Sequence, residues 1–414
     1  MSTISDSANR AREASQVLAS IESETKDAVL RTLARLIRAQ SALILGANTG
    51  DMDAARESGL DAPKLARLEL TEAGLEQMCR GLEQIAAMED PVGMVTTERV
   101  VESGLKVQKV RSPLGVIAMI YEARPGVTID AFALCFKAGN ACLLKGGREA
   151  AHSNAALAEL AKRALGENGA PESAIELVTT SDREEIKEML GLTGVIDLVI
   201  PRGGARLIEF VHEHARVPTI QHFHGVCHAF VHASADLEKA LAICTTGTTS
   251  APATCNSLEC VLVDAAIADE FLPRLGAACG RDGIELRGDS RTVQLAPGAV
   301  AAAEDDWGTE FLDKIIACRV IDGLDGAIEH IQQFGSDHTE TIVAQDEEVC
   351  ERFARRVTSS CVLTNASTRF NDGFQLGLGA EIGISTSRIH AYGPMGLAEL
   401  TIERYIVRGD GQVR

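Results

Sequence analysis

Through the first 90 residues the apolar positions recur at helical spacing. Val17, Leu18 and Ile21 form one set, Val29, Leu33, Leu36 and Ile37 a second, and Leu75, Met78, Cys79, Leu82 and Ile85 a third. Residues three and four apart share one face of a helix, so each set predicts an amphipathic helix with a single buried stripe. The period then changes. Residues 105–111 alternate apolar and polar side chains, which predicts an exposed or edge strand.

From residue 114 onward, short apolar runs and helical patterns take turns. Strands are expected at 114–120, 141–144, 175–178, 195–200 and 227–231, with helices at 128–138 and 153–165. Gly139 follows the first of these helices, where a left-handed C-cap costs glycine least. A second series begins near Asp236, with strands at 259–263, 315–320, 340–343 and 359–363 and a helix at 324–334. Residues 401–407 form a last strand. Such alternation implies parallel sheets covered on both faces. The expected fold class is α/β, with two doubly wound domains and a ligand crevice between them. No internal repeat and no low-complexity linker interrupts the pattern.

Composition narrows the function. The chain of 414 residues is 45% apolar and 24% charged, which is ordinary globular usage for two or three domains. Its net charge of −19 opposes nucleic acid and anionic membrane as partners. An anionic substrate would need a local cluster of Arg or Lys. The 11 cysteines are scattered without a CxxC pair, which favours a reducing cytoplasm over a disulfide framework. The N-terminus lacks the apolar core of a signal peptide, and no apolar run nears the roughly 20 residues of a membrane span.

The familiar nucleotide motifs are missing. No GxGxxG follows a strand, and no GxxxxGK[ST] occurs. The densest group of metal-ligand types is His212, His214, His222, His224, Cys227 and His228. The histidines at 212 and 214 lack the HExxH spacing that puts two ligands on one helix face. The reading adopted is that these histidines line a cleft and that no metal is bound.

Three longer stretches carry a resemblance. The first is SPLGVIAMIYEARPGVTID at 112–130, running into KAGN at 137–140 and LLKGG at 143–147. The second is Thr254-Cys255-Asn256 with Glu259 and a strand behind it. The third is GLGAEIGISTSR at 377–388, followed by HAYGPMG at 390–396. In order and spacing these resemble the glutamate-5-semialdehyde dehydrogenases of the aldehyde-dehydrogenase superfamily across the whole chain. The first two stretches are shared by the wider superfamily, and the third is specific to this family.

The resemblance implies an aldehyde-dehydrogenase-like fold. Residues 1–104 and 112–235 would form a cofactor-binding domain and 236–365 a catalytic domain. Residues 105–111 with 390–414 would supply oligomerisation strands, making a homo-oligomer. It also implies NADPH-dependent reduction of L-glutamyl 5-phosphate through a cysteine thioester, a step of proline biosynthesis. Cys255 would be the nucleophile, with a lowered thiol pKa and Asn256 as its catalytic neighbour. Lys145 would hold the adenosine ribose. Arg148, three residues on, stands where NAD-preferring relatives carry a Glu and would pair with the 2′-phosphate of NADP. Gly203 and Gly204 would bind pyrophosphate at a helix start. Glu310 would hold the nicotinamide ribose. Arg124, Arg202 and Arg388 would bind the anionic substrate. The stretch 221–225 lacks the Glu that oxidising relatives use to activate water.

Four positions depart from the family pattern. Thr248 and Ala251 replace a Lys and an Arg before the nucleophile, Tyr392 replaces an Arg in the tail, and His224 replaces an Asp. Other readings therefore stay open. One is a paralogous acyl-phosphate or aldehyde oxidoreductase with another small substrate. A second is a catalytically weak scaffold partner of glutamate kinase. A cysteine hydrolase is a third, but no His or Asp is placed to complete its site.

Overall fold

The computed structural model describes residues 3–180, 182–220 and 224–414. Five helices open the chain: α1 (Thr3–Leu18), α2 (Ser23–Ala39), α3 (Ser41–Glu57), α4 (Ala62–Leu68) and α5 (Glu72–Ala87). The apolar stripes read for α2 and α5 are their inner faces: Val29, Leu33, Leu36, Ile37, Leu75, Cys79, Leu82 and Ile85 are all buried. The first set is corrected: only Leu18 is buried, Val17 is 52% exposed, and Ile21 lies past the end of α1. Strands β1 (Val95–Val100) and β2 (Lys106–Pro113) follow as an antiparallel hairpin.

The first parallel sheet comes next. Its elements are β3 (Val116–Tyr121), α6 (Gly126–Lys137), β4 (Ala141–Lys145), α7 (Ala151–Glu167), β5 (Ile175–Leu177), α8 (Arg183–Leu190), β6 (Leu198–Arg202) and α9 (Ala205–His214). The strand order is β5-β4-β3-β6. Gly139 does end the α6 segment with φ +78°. Strand β3 is buried along its whole length, as a strand covered on both faces must be. Its core is continuous with that of the N-terminal helices.

The second lobe holds β7 (Cys227–Val231), α10 (Leu237–Thr249), β8 (Leu258–Asp264), α11 (Ala268–Asp282), β9 (Glu285–Gly288), α12 (Ser290–Leu295) and β10 (Val300–Ala301). It continues with β11 (Ile315–Ile321), α13 (Gly323–Phe334), β12 (Thr339–Val343), α14 (Glu347–Arg356) and β13 (Cys361–Thr364). These strands form one seven-stranded sheet in the order β10-β9-β11-β8-β7-β12-β13. Separate apolar clusters cover its two faces. The tail adds β14 (Ile384–Ser385), β15 (Gly393–Pro394) and β16 (Thr401–Arg408).

Three expectations need revision. Strand β2 is no edge: β1 pairs on one side and β16 on the other. The strand at 95–100, placed with the cofactor domain by a boundary at 104, belongs to this small sheet. Strand β7 leaves the first series and lies between β8 and β12 in the second sheet, although the sequence division starts the catalytic domain at 236. All five of its residues are buried, as in a central strand of either sheet, so local pattern could not choose.

Asn140 ties the tail to the first sheet. Its Oδ1 accepts from the Gly115 amide at 2.9 Å and its Nδ2 donates to the Leu400 carbonyl at 2.9 Å. A cavity of about 800 Å³ lies beside α1 and the small sheet, lined by Arg12, Lys106, Arg111, Arg404 and Arg408, and no candidate site residue borders it. Among the described residues no helix is long and apolar enough to cross a membrane.

Candidate active site

In the first sheet the chain runs from β3 outward to β4 and β5, then returns to place β6 on the other side of β3. Connections therefore diverge at the carboxyl ends of β3 and β6, which opens a crevice there. Lys145 closes β4 at that edge, only 8% exposed, and its Nζ donates to the Gly146 carbonyl at 2.6 Å. Gly204 caps α9, and its amide donates to Glu122 Oε2 at 3.1 Å. A carboxylate thus already occupies the anion position that a helix N-terminus offers. At Gly203 a Cβ would lie 2.7 Å from Leu207 Cδ2 and 2.8 Å from Glu122, so a side chain would fill this cradle. Arg148 is exposed and makes no ion pair among the described residues. The neighbouring Glu149 turns away, accepting from the Ala123 amide at 2.7 Å. That contact holds Ala123 at φ +32°, a conformation rarely adopted by residues with a side chain.

Cys255 lies between α10 and β8. The polar run that begins at Thr245 is partly helix. Thr245, Thr246 and Thr249 donate to the carbonyls of Leu241, Ala242 and Thr245, at 3.0, 2.6 and 2.8 Å, so their hydroxyls are satisfied without ending α10. Cys255 and Cys361 are half-buried, and the other nine thiols are buried. The Cys255 carbonyl accepts from Cys227 Sγ at 3.3 Å, and Gly225 packs against it so closely that no Cβ fits. Arg369 Nη1 donates to Thr254 Oγ1 at 2.7 Å.

Asn256 differs from its expected catalytic place. It is buried, its Nδ2 donates to the Asn371 carbonyl at 2.9 Å, and its Oδ1 accepts from Thr254 Oγ1 at 3.0 Å. The Asn256 carbonyl accepts from Thr368 Oγ1 at 2.8 Å. These bonds prop the Cys255 loop from behind.

The Arg202 guanidinium links the two lobes electrostatically. It acts on Cys255, Arg124, Asp130 and Glu381, and it packs on the backbone of Gly383, where a Cβ would lie 2.5 Å from Nη1. Burial pushes the Cys255 thiol up to about 11; Arg202 opposes the rise, while Glu310 and Glu381 add to it. The expected lowering is therefore reversed, because desolvation outweighs one nearby cation. Burial also raises the carboxyls of Glu310 and Glu381 and lowers the pKa of Arg124. Glu310 sits on a segment held by Glu259, whose Oε2 accepts from the Phe311 amide at 3.1 Å. Burial pushes Glu259 up to about 8. Leu312, with φ +55°, ends that segment.

Arg388 is placed elsewhere. Its Nη2 bonds Asp337 Oδ1 at 2.8 Å and Thr358 Oγ1 at 2.8 Å, and the guanidinium lies 5.4 Å from the centre of the Tyr392 ring. These contacts explain Tyr392 as a stacking partner and remove Arg388 from the expected substrate set. Thr248 is fully buried and donates to the Leu258 carbonyl at 2.7 Å, so this position faces the core. His224 is exposed and acts on Glu310.

The histidine cluster does not gather. His214 is tied to the Phe210 carbonyl at the end of α9, while His228 is buried on β7 with Nδ1 2.9 Å from Glu340 Oε2. Gln221, His222 and Phe223, including most of the stretch compared with the water-activating segment, lie outside the described residues. His228, Cys260 and His330 bring ligand atoms within 4.8 Å of one another. Arg319 lies 3.3 Å from His330 Nδ1, which puts the His330 proton on Nε2, facing Cys260 Sγ at 3.8 Å. That is a hydrogen-bonded packing arrangement.

Sequence reasoning missed Asp130, Arg369 and Glu381, and named Cys227 only among the metal-ligand types. Two had a signal: Asp130 and Glu381 fall inside the first and third motif stretches.

Residues 2–305 match the model of the aldehyde dehydrogenase family. The chain is 53% identical, over the full length of both proteins, to the gamma-glutamyl phosphate reductase of Xanthomonas campestris pv. campestris strain 8004. The chain belongs to the aldehyde dehydrogenase family, in its gamma-glutamyl phosphate reductase branch. The crystal structure of the gamma-glutamyl phosphate reductase of Thermotoga maritima superposes with a TM-score of 0.97 at 41% identity, covering all of both chains. An engineered glycolyl-CoA reductase with bound NADP+ shares the aldehyde dehydrogenase fold, with a TM-score of 0.67 at 16% identity over 98% of this chain and 96% of that one.

Proposed function

We propose that this chain reduces L-glutamyl 5-phosphate to L-glutamate 5-semialdehyde with release of phosphate, in proline biosynthesis, using NADPH and a thioester on Cys255. The relatives' shared name supports the substrate. The observation that carries the chemistry is the Arg202 guanidinium acting on the half-buried Cys255 thiol, with Arg124 beside both. In a chain of net charge −19, this local cation pair gives an anionic acyl donor its footing.

The Cys255 sulfur attacks the acyl carbonyl, the acyl–oxygen bond to phosphate breaks, and the thiol proton leaves on the phosphate. Arg202 and Arg124 offset the charge of the phosphoryl group while this happens. The crevice residues suit a dinucleotide: the Gly203–Gly204 cradle would take the pyrophosphate once Glu122 swings off the Gly204 amide, Lys145 and Glu310 the two riboses, and Arg148 the 2′-phosphate. NADPH, when bound, supplies the hydride that reduces the thioester carbonyl. Cys255 then leaves the reduced carbon as aldehyde forms.

Exposed Val95, Val100, Ile402, Tyr405 and Val407 on the small sheet support self-association through it. Eleven free thiols suit a cytoplasmic enzyme. The reverse reaction tests the function: glutamate 5-semialdehyde, phosphate and NADP+ are mixed with the enzyme and NADPH absorbance is followed. Phosphate-dependent NADPH formation is expected. Its absence with purified, folded enzyme overturns the reading.

A further inference from the structure

The cavity of about 800 Å³ between α1 and the small sheet has the volume of a small-molecule site. Arg12, Ser15 and Gln16 line it from α1, at the spacing that puts three residues on one helix face. Lys106, Gln108, Val110, Arg404, Ile406 and Arg408 line it from the sheet, every second residue of β2 and β16. With Arg111, five cations border the cavity, and among the described residues no Asp or Glu does. In a chain of net charge −19 such a local excess of cations needs a reason.

The sheet is charge-matched on one face and not on the other. Away from the cavity, Lys109 pairs with Glu403 at 3.1 Å and lies 5.6 Å from the centre of the Tyr405 ring. On the cavity face, Arg408 stands directly opposite Lys106 across the β16–β2 ladder, where like charges repel. Glu98 of β1 answers Lys106 at 2.9 Å, but Arg408 bonds only the neutral amide oxygen of Gln108. Arg404 makes no hydrogen bond or ion pair among the described residues. Arg111 donates only to the Ala398 carbonyl at 2.9 Å and Thr401 Oγ1 at 3.0 Å, while Arg12 is paired with Asp197 at 2.6 Å. A multivalent anion would relieve this repulsion and take up the unmatched guanidinium forks.

The cavity is not part of the crevice. Gly115, which borders it, directly precedes β3, and Asp197 directly precedes β6. The crevice lies at the opposite ends of these strands, and the five residues of β6 span about 17 Å.

We propose that this cavity is a second ligand site, which binds a small polyanion carrying two or more phosphate or carboxylate groups. Arg404 and Arg408 hold it with forked donors, and Lys106 adds charge. The proposal does not depend on the reaction assigned to Cys255.

The test is calorimetric titration with inorganic pyrophosphate and with citrate, at an ionic strength held constant with sodium chloride. The unaltered enzyme binds at least one of them with a Kd below about 1 mM. The tighter of the two tells whether the ligand class is phosphate or carboxylate. In the double variant Arg404→Ser with Arg408→Ser that Kd rises at least about 10-fold, the loss expected for charge-assisted contacts. Its melting temperature and its turnover without added anion stay near those of the unaltered enzyme, since both side chains are exposed. Should the double variant not fold, Arg404→Lys, which keeps the charge and loses the fork, weakens binding by a smaller factor. Absence of binding by the unaltered enzyme, or an equal Kd in enzyme and variants, overturns the proposal. So does sedimentation showing that the double variant loses an oligomer formed without added anion, which would give these arginines to a second copy of the chain.

Discussion

The two lobes meet at the site with different architectures. The first lobe presents its candidate residues at strand ends: Lys145 closes β4, and Arg202 ends β6 just before Gly203 and Gly204. The second lobe presents Cys255 on a loop supported by Cys227, Thr368, Arg369 and Asn371. A parallel sheet delivers its strand ends to one edge automatically, so position along the pattern places them. The Cys255 loop is fixed by contacts that span more than 100 residues of chain, which no local pattern encodes. The lesson is that the strand-end residues are placed by topology and the Cys255 loop by long-range hydrogen bonds.

Four changes sharpen that contrast. The largest effect is expected at the nucleophile itself: Cys255→Ala should cut turnover by at least about 10³-fold while leaving the melting temperature and NADP+ binding near those of the unaltered enzyme. Measurable steady-state activity in that variant would return the chemistry to another group.

Second is the thiol's titration. With Cys255 at about 11, its thiolate fraction grows roughly tenfold per pH unit well below that value. Iodoacetamide labelling of the ligand-free enzyme should therefore accelerate about 10³-fold from pH 7 to pH 10. Labelling sites read by peptide mass should be Cys255 and Cys361 ahead of the nine buried thiols. A rate already flat at pH 7 would mean that the cations outweigh burial.

Third, Thr248→Lys with Ala251→Arg restores the family's cations, one in the core at 248 and one at half-buried Ala251 just past α10. Thr248 is fully buried, so the new ammonium enters without a carboxylate partner and should cost about 3–5 kcal/mol in urea unfolding. A stable double variant with higher activity would show that position 248 can turn toward the substrate.

The smallest effect is on the topologically placed side. Arg148→Glu should lower the preference for NADPH over NADH by about 1.5–3 kcal/mol, read as the ratio of the two kcat/KM values. An unmoved ratio would place the 2′-phosphate elsewhere.

What was legible follows the same division. The helical stripes, the alternation of strands and the Gly139 cap were set by local periodicity and by one backbone preference, and they appear in the fold. Strand β7 went to the wrong sheet because a five-residue apolar run pairs equally well in either. The short β9 and β10 carry too little pattern to register. Asn256 looked reactive from its adjacency to Cys255, but the Asn371 carbonyl turns it inward. Arg388 looked like a substrate ligand from its motif, but Asp337, Thr358 and Tyr392 hold it. Arg369, which supplies a cation at Thr254, had no sequence signal at all.

The central claim is that substrate carbon becomes bonded to Cys255. Rapid mixing of the enzyme with glutamate 5-semialdehyde and NADP+, with phosphate withheld, tests it most directly. The thioester then has no phosphate to release it. The account predicts a burst of NADPH equal to one per subunit, followed by a slow phase, and no burst from Cys255→Ala. A burst that survives in that variant, or rapid steady turnover without phosphate, would contradict it.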